Sequence, residues 1–391
     1  MKFEIAEFLR INERLLKIQT EDDFKGYDLF DGLNSKIFNA VGLNKIGLAR
    51  LAWIQFHKRS PINFRRLFLV NKERNPKGIA LIIQGLIQDY HRTNSVSFLE
   101  KAINLGDWLL ENKCDRAIWI EDCWGYHFPW EARAFYVPLG TPNIISTTYV
   151  SNALLSIFEV TGEKRFLDSC DSTAKFLLAF NHIQEENKKY FTYIPGETVL
   201  VHNANLWGAA TLVRIGVKTN NSQYISAALK AAEISVNAQS PEGFWRYGEL
   251  KHHQFIDGFH TGYNLECLAL IQQELKSNIF ETQIKKGFDY YKKHFFLDDG
   301  TAKYYHDKTF PIDMHSVAQA VITCIKVGKH ASDIDFAIKI AEWSIRNMYS
   351  EKTGLFVYQK NRFYVNKIPY FRWTQAWVYY SFALLNNETN K

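Results

Sequence analysis

Five stretches of this chain share one design, in which polar or aromatic residues form a mouth and a nearly all-apolar helical body follows. They are STTYVSNALLSIF from Ser146, HNANLWGAATLVRI from His202, FIDGFHTGYNLECLALI from Phe255, DMHSVAQAVITCI from Asp313 and RWTQAWVYYSFALL from Arg372. Aligned at Thr148, Asn205, Gly262, Ser316 and Thr374, the mouths are spaced by 57, 57, 54 and 58 residues. A helix pair with its linking hairpin needs about this length, and near-equal steps mark a repeat. Between the apolar helices lie one-sided ones, near Gln223–Ala238, Gln283–Phe295 and Ser332–Met348. An inner layer that is apolar all round and an outer layer with one apolar stripe are what a ring of hairpins requires. Short aromatic pieces such as KKYFTYIPGE and TGLFVYQKNRFYVNK read as strand-like hairpins in the loops.

Upstream, Lys77–His91 and Val96–Asn112 make a further pair, and Lys2–Ile18 is an amphipathic helix. The expected fold is all-α, an (α/α)6 toroid with short β-hairpins in its loops, built from residues 1–391 as one domain. Residues 1–76 are expected to form an N-terminal helical segment whose first helix pairs with the last inner one and closes the ring at six hairpins. The helix read at Lys36–His57 is then left over, which keeps a count of seven open. Thr261 is the expected N-cap of the third repeat's helix. If the mouths converge, they form one pocket framed by the rest of the chain.

Composition changes this picture mainly through aromatics, which are 15% of residues: 10 Trp, 20 Tyr and 29 Phe. Such rings fill cores, and they also form platforms on which sugar rings pack. The net charge of +6 is mild and no Lys/Arg block resembles a nucleic-acid footprint. The most basic stretch, Arg65–Lys77, reads as a solvated helix face. Five widely spaced cysteines without a CxxC pair point to reduced, buried thiols. No run approaches the roughly 20 apolar residues of a membrane span. No signal-peptide pattern is visible at the N-terminus, so a cytoplasmic location is expected.

The segments CWGYHFPWEAR (Cys123–Arg133), TPNIISTTYVSNALL (Thr141–Leu155) and FHTGYNLECL (Phe259–Leu268) add to the repeat pattern. From Lys77 onward the chain resembles the six-hairpin (α/α)6-toroid glycosidase superfamily. Through these three segments it resembles the VpsJ-like proteins of bacterial surface-polysaccharide biosynthesis. The resemblance implies a toroid fold and a glycan context, with an oligo- or polysaccharide as substrate and association with a polysaccharide assembly complex, more than any single reaction. In such toroids the loops at the inner-helix mouths form a funnel for sugars.

Glycoside hydrolysis needs two carboxyl groups across the scissile bond. Glu131 leads, in a Gly/Pro-broken loop crowded by Trp124, Tyr126, His127, Trp130 and Arg133; an ion pair that stitches the loop is the structural alternative. Asp257 and His260 follow, then Asp313 with His315, although aspartates at these positions also serve as turn and capping residues. Asp28 and Asp31 lie in a loop able to fold over the funnel. His202, His253 and Asn205 fall near the same end of successive repeats, as does Tyr263, and suit sugar hydroxyls. Arg372 offers a fork for a uronate carboxylate and Trp373 a stacking face. No metal-ligand spacing and no nucleotide or dinucleotide motif is present, so neither metal nor cofactor is expected.

Three function classes follow. The first is a carbohydrate-active enzyme on a surface, capsular or exopolysaccharide or its precursor, glycoside hydrolase-like with Glu131 and Asp257 or Asp313. Its nearest competitor is a uronate lyase or C5-epimerase, in which Tyr126, His127 or His260 abstracts the proton next to a carboxylate neutralised by Arg133 or Arg372. The second is a non-catalytic glycan-binding or assembly protein. The third is a terpenoid-cyclase-like toroid, for which the Asp-rich clusters are weak.

Overall fold

Side-chain caps start four of the inner helices of this protein. The structure, a computed structural model, describes residues 5–131, 136–185 and 188–390. Its helices are α1 (Ile5–Glu21), α2 (Lys36–Ala40), α3 (Gly47–Arg59), α4 (Pro76–Thr93), α5 (Val96–Glu111), α6 (Ile144–Thr161), α7 (Lys164–Phe176), α8 (His202–Thr219), α9 (Ser222–Asn237), α10 (Gly258–Leu275), α11 (Glu281–His294), α12 (Met314–Val327), α13 (Ala331–Met348) and α14 (Ala376–Thr389). Asn75 caps α4, Asn143 caps α6, Asp257 caps α10 and Asp313 caps α12, each side chain accepting from a backbone N–H of the first turn. Thr261 is therefore inside α10, not at its start; its hydroxyl donates back to the Asp257 carbonyl. At the far ends Asn94, Gly162, Asn220 and Lys276 take left-handed conformations that stop α4, α6, α8 and α10.

Helices α4, α6, α8, α10, α12 and α14 pack each on the next, and α14 returns to α4, closing an inner ring. Outside it, α5, α7, α9, α11 and α13 each back the inner helix that precedes them, while α1 lies on α14. The described helices thus make six hairpins in a toroid. Close approach within the ring depends on glycine at two places. A Cβ on Gly85 would meet the Tyr379 ring at 2.5 Å, and one on Gly262 would meet the Thr323 hydroxyl at 2.6 Å. The inner helices are buried on nearly every side, and each fully buried Leu, Ile or Val there contributes about 1.5–3 kcal/mol.

The strands are short antiparallel pieces in the loops: β1 (Trp130–Glu131), β2 (Tyr136–Val137), β3 (His182–Glu185), β4 (Lys188–Phe191), β5 (Ile312–Asp313), β6 (Tyr349–Ser350), β7 (Leu355–Phe356), β8 (Gln359–Lys360) and β9 (Val365–Asn366). They pair as β1–β2, β3–β4, β6–β7 and β5–β8–β9. The segment between α1 and α4, which carries α2 and α3, is joined to one end of the ring by one buried ion pair and braced within itself by another. Asp28 accepts from Arg372 Nε and Nη2 at 2.6 and 2.7 Å, and Asp31 accepts from Arg65 Nε at 2.5 Å. Arg65, read from sequence as part of a solvated helix face, is fully buried, and its neighbourhood is not helical. Each of the five cysteines is a buried free thiol.

Candidate active site

The first turns of five inner helices and the turn that leads into the sixth meet at one cavity of about 440 Å3. Lys77 comes from α4, Ile145 from α6, Asn203 from α8, Phe259 and His260 from α10, His315 from α12, and Arg372 and Trp373 from the turn that leads into α14. Loop residues Tyr126, Trp130, Tyr193, Tyr247 and Tyr304 complete the wall. Beneath it Tyr149, Trp207, Tyr263 and Trp377 pack ring to ring, with centroids 4.6–6.3 Å apart. Tyr149 and Trp207 also border a second cavity, lined by the charged residues Glu159, Arg214, Glu266 and Lys326.

Of the residues singled out in the sequence, Tyr126, Trp130, His253, His260, Tyr263, His315, Arg372 and Trp373 line the cavity. Others stand behind the wall. Trp124 is buried in the core with its Nε1 donating to the Leu109 carbonyl. His127 is half-buried with its Nδ1 2.9 Å from the Asn75 amide, and desolvation pushes its imidazole down to about 4. His202 sits on the Ser235 hydroxyl at 3.0 Å and is likewise pushed by burial to about 4. Asn205 spans Ala231, Ser235 and the Phe191 backbone. Arg133 lies outside the described residues.

None of the three carboxylates read as catalytic lines the cavity. In β1, Trp130 turns inward, so its neighbour Glu131 faces the opposite way, where Arg50 of α3 holds it at 2.6 Å. Arg50 also lies over Tyr136, the cross-strand partner of Glu131, so Glu131 stitches a loop. Asp257 gives one oxygen to the His260 backbone N–H and the other to His260 Nδ1, at 2.9 and 2.7 Å. Asp313, fully buried, accepts from the His315 N–H, from Gln359 and from the Trp373 indole. Burial nonetheless pushes it up to about 7. Among the described lining residues, Glu197 is the only carboxylate. Arg372 is no free fork for a substrate, because Asp28 already fills it; that guanidinium overcomes the cost of burial and holds the Asp28 carboxyl below its usual range.

The remaining groups are suited to moving protons. A carboxylate on Nδ1 fixes His260 as the tautomer whose Nε2 lone pair is available to the cavity. Tyr263 and His315 Nε2 form a hydrogen bond of 2.5 Å. Burial raises the Tyr263 phenol well above its ordinary range, which keeps it a donor. Burial and then the nearby Lys77 charge hold His315 neutral. The His260 and Tyr263 rings meet edge to face with centroids 5.8 Å apart, so a base and an acid stand side by side on one wall of the cavity. Among the described residues no group of three His, Cys, Asp or Glu side chains is placed to hold a metal ion, and no helix is long and apolar enough to cross a membrane. Lys77, Tyr193 and Tyr247 escaped the sequence reading. Lys77 alone had a legible signal, since Asn75–Pro76 starts a helix two residues before it.

No protein-family model matches the sequence, and no curated protein matches it significantly. Solved structures do match. A cellobiose 2-epimerase from Bacillus thermoamylovorans superposes with a TM-score of 0.62 at 11% identity, over 81% of this chain and 88% of that one. An unsaturated glucuronyl hydrolase specific for heparin gives 0.59 at 14%, over 82% and 88%. A D-mannose isomerase gives 0.58 at 14%, over 81% and 87%. At these identities the likeness establishes the architecture: the chain has the fold of six-hairpin toroid enzymes that act on carbohydrates.

Proposed function

We propose that the cavity is the active site of a carbohydrate enzyme that moves a proton on carbon, a uronate lyase or C5-epimerase, rather than a two-carboxylate glycoside hydrolase. One observation carries this reading: His260, held by Asp257 behind it, and Tyr263, hydrogen-bonded to His315, stand side by side on the cavity wall, while Glu131, Asp257 and Asp313 do not line it. In this scheme His260 Nε2 takes the C5 proton and the C–H electron pair moves onto the carboxylate as an enolate. For elimination, Tyr263 then gives its proton to the leaving oxygen at C4 as that bond breaks and the enolate electrons form the C4–C5 double bond; for epimerisation, a donor on the far side of the sugar ring returns a proton to the opposite face of C5. The aromatic wall supplies faces for the sugar ring. Similar folds among sugar epimerases and isomerases are consistent with this chemistry.

A surface-polysaccharide substrate and a place beside an assembly complex belong to the same proposal, on the strength of the three segments that resemble VpsJ-like proteins. Incubation with uronate oligosaccharides in deuterated water separates the reactions. A lyase makes an unsaturated, ultraviolet-absorbing product, and an epimerase places deuterium at C5 with inversion. New reducing ends without either signal would mean hydrolysis and would refute the proposal.

A further inference from the structure

The mouth of α4 presents a charge that the scheme above does not use. Lys77 is held in the first turn of α4 by Asn75, whose side-chain oxygen accepts from the Lys77 N–H at 3.0 Å. The residue is 3% exposed, and it lines the cavity. Its Nζ lies 4.3 Å from the Tyr149 ring centre, 5.1 Å from Trp377 and 5.4 Å from Tyr263. Among the described residues no carboxylate is within ion-pair distance of it, whereas the buried guanidinium groups of Arg65 and Arg372 each sit on an aspartate.

Burial and the Arg372 charge depress the Lys77 amine well below the ordinary lysine range, and Asp28 and Glu266 oppose this only through their fields. The positive end of α4 adds to the cost. Ring faces help a cation, but a buried ammonium without a counter-ion is an expensive thing to keep. Its side chain nonetheless opens on a cavity formed by the N-terminal ends of six helices, where a ligand can supply the missing negative charge.

We propose that Lys77 is the anchor for an anionic substituent of the sugar, a carboxylate in the first instance, seated on the aromatic floor beside Tyr263. This rests on the cavity being a sugar site, but not on which proton transfer follows. With the carboxylate on Lys77, negative charge that develops on it during proton abstraction meets a cation already in place.

Calorimetric titration with glucuronate, glucose 6-phosphate and glucose tests the assignment on wild type, Lys77→Met and His260→Asn. Wild type should bind glucuronate about tenfold tighter than glucose, and Lys77→Met should lose that preference while its glucose affinity changes less than about twofold. His260→Asn should keep the preference even though turnover is lost, so a failed turnover assay and a failed anion site are told apart. The ligand-free Lys77→Met protein should melt at or above the wild-type temperature, since methionine fills the space without burying an amine. A preference for glucose 6-phosphate that disappears with Lys77 keeps the anion site but replaces carboxylate with phosphoester. An unchanged glucuronate-to-glucose ratio in Lys77→Met, a lower melting temperature for that variant, or no binding of any of the three probes overturns the proposal.

Discussion

His260 and Glu131 separate the two chemistries at the scale of single residues. His260→Asn removes the base but keeps a polar side chain at the cavity, and kcat is expected to fall by about 10²–10⁴-fold. Asp257→Asn keeps an oxygen for the helix cap but loses the charge on His260 Nδ1. It should lower kcat with little change in KM and alter the pH profile, as befits a positioning residue. Glu131→Gln breaks only the contact with Arg50, and activity should stay within a few-fold of wild type. The sequence could place Glu131 among aromatics but not say which way it faced. The alternation along β1 decides that, sending Trp130 to the cavity and Glu131 away from it. Similarly, Asp257 and Asp313 stand at helix starts, and a capping side chain turns back onto its own backbone. The residues just inside, His260 and His315, are the ones left to face a ligand.

At the scale of elements, the segment carrying α2 and α3 is joined to the ring, and folded on itself, by charges that a local pattern cannot pair. Arg65 meets Asp31 across 34 residues and Arg372 meets Asp28 across 344, so the basic run around Arg65 read as surface. Arg65→Met leaves Asp31 buried without its cation and should cost about 3–5 kcal/mol of stability by urea denaturation. Replacing both partners by apolar residues should be much milder. The mouth of α8 offers a pH test. Burial lowers the His202 imidazole from 6.5 to about 4. The unfolded chain therefore binds its proton more readily than the folded one. The neutral histidine's contribution is complete above pH 6.5 and is lost as pH falls through that window towards 4. The order of magnitude is 3 kcal/mol. His202→Asn should accordingly be destabilising at pH 7.5, and its difference from wild type should shrink at pH 4.5.

For the whole molecule, the repeat was legible because every inner helix must bury all its sides and so carries an apolar body of fixed length behind a polar mouth. The beat of 54 to 58 residues from Thr148 to Thr374 follows from that constraint. The first unit broke the beat: α4 starts at Pro76 and α6 at Ile144, with the loop carrying Tyr126 and Trp130 between them, so Lys77 went unread as a mouth residue. Ring closure by α1 on α14 joins the two ends of the chain. The measurement that tests the central claim most directly is incorporation of solvent deuterium into a uronate oligosaccharide by wild type, His260→Asn and Glu131→Gln. Incorporation by wild type and Glu131→Gln, with none by His260→Asn, is the predicted result. Turnover that requires Glu131, proceeds without His260 and leaves the sugar carbons unlabelled would contradict it.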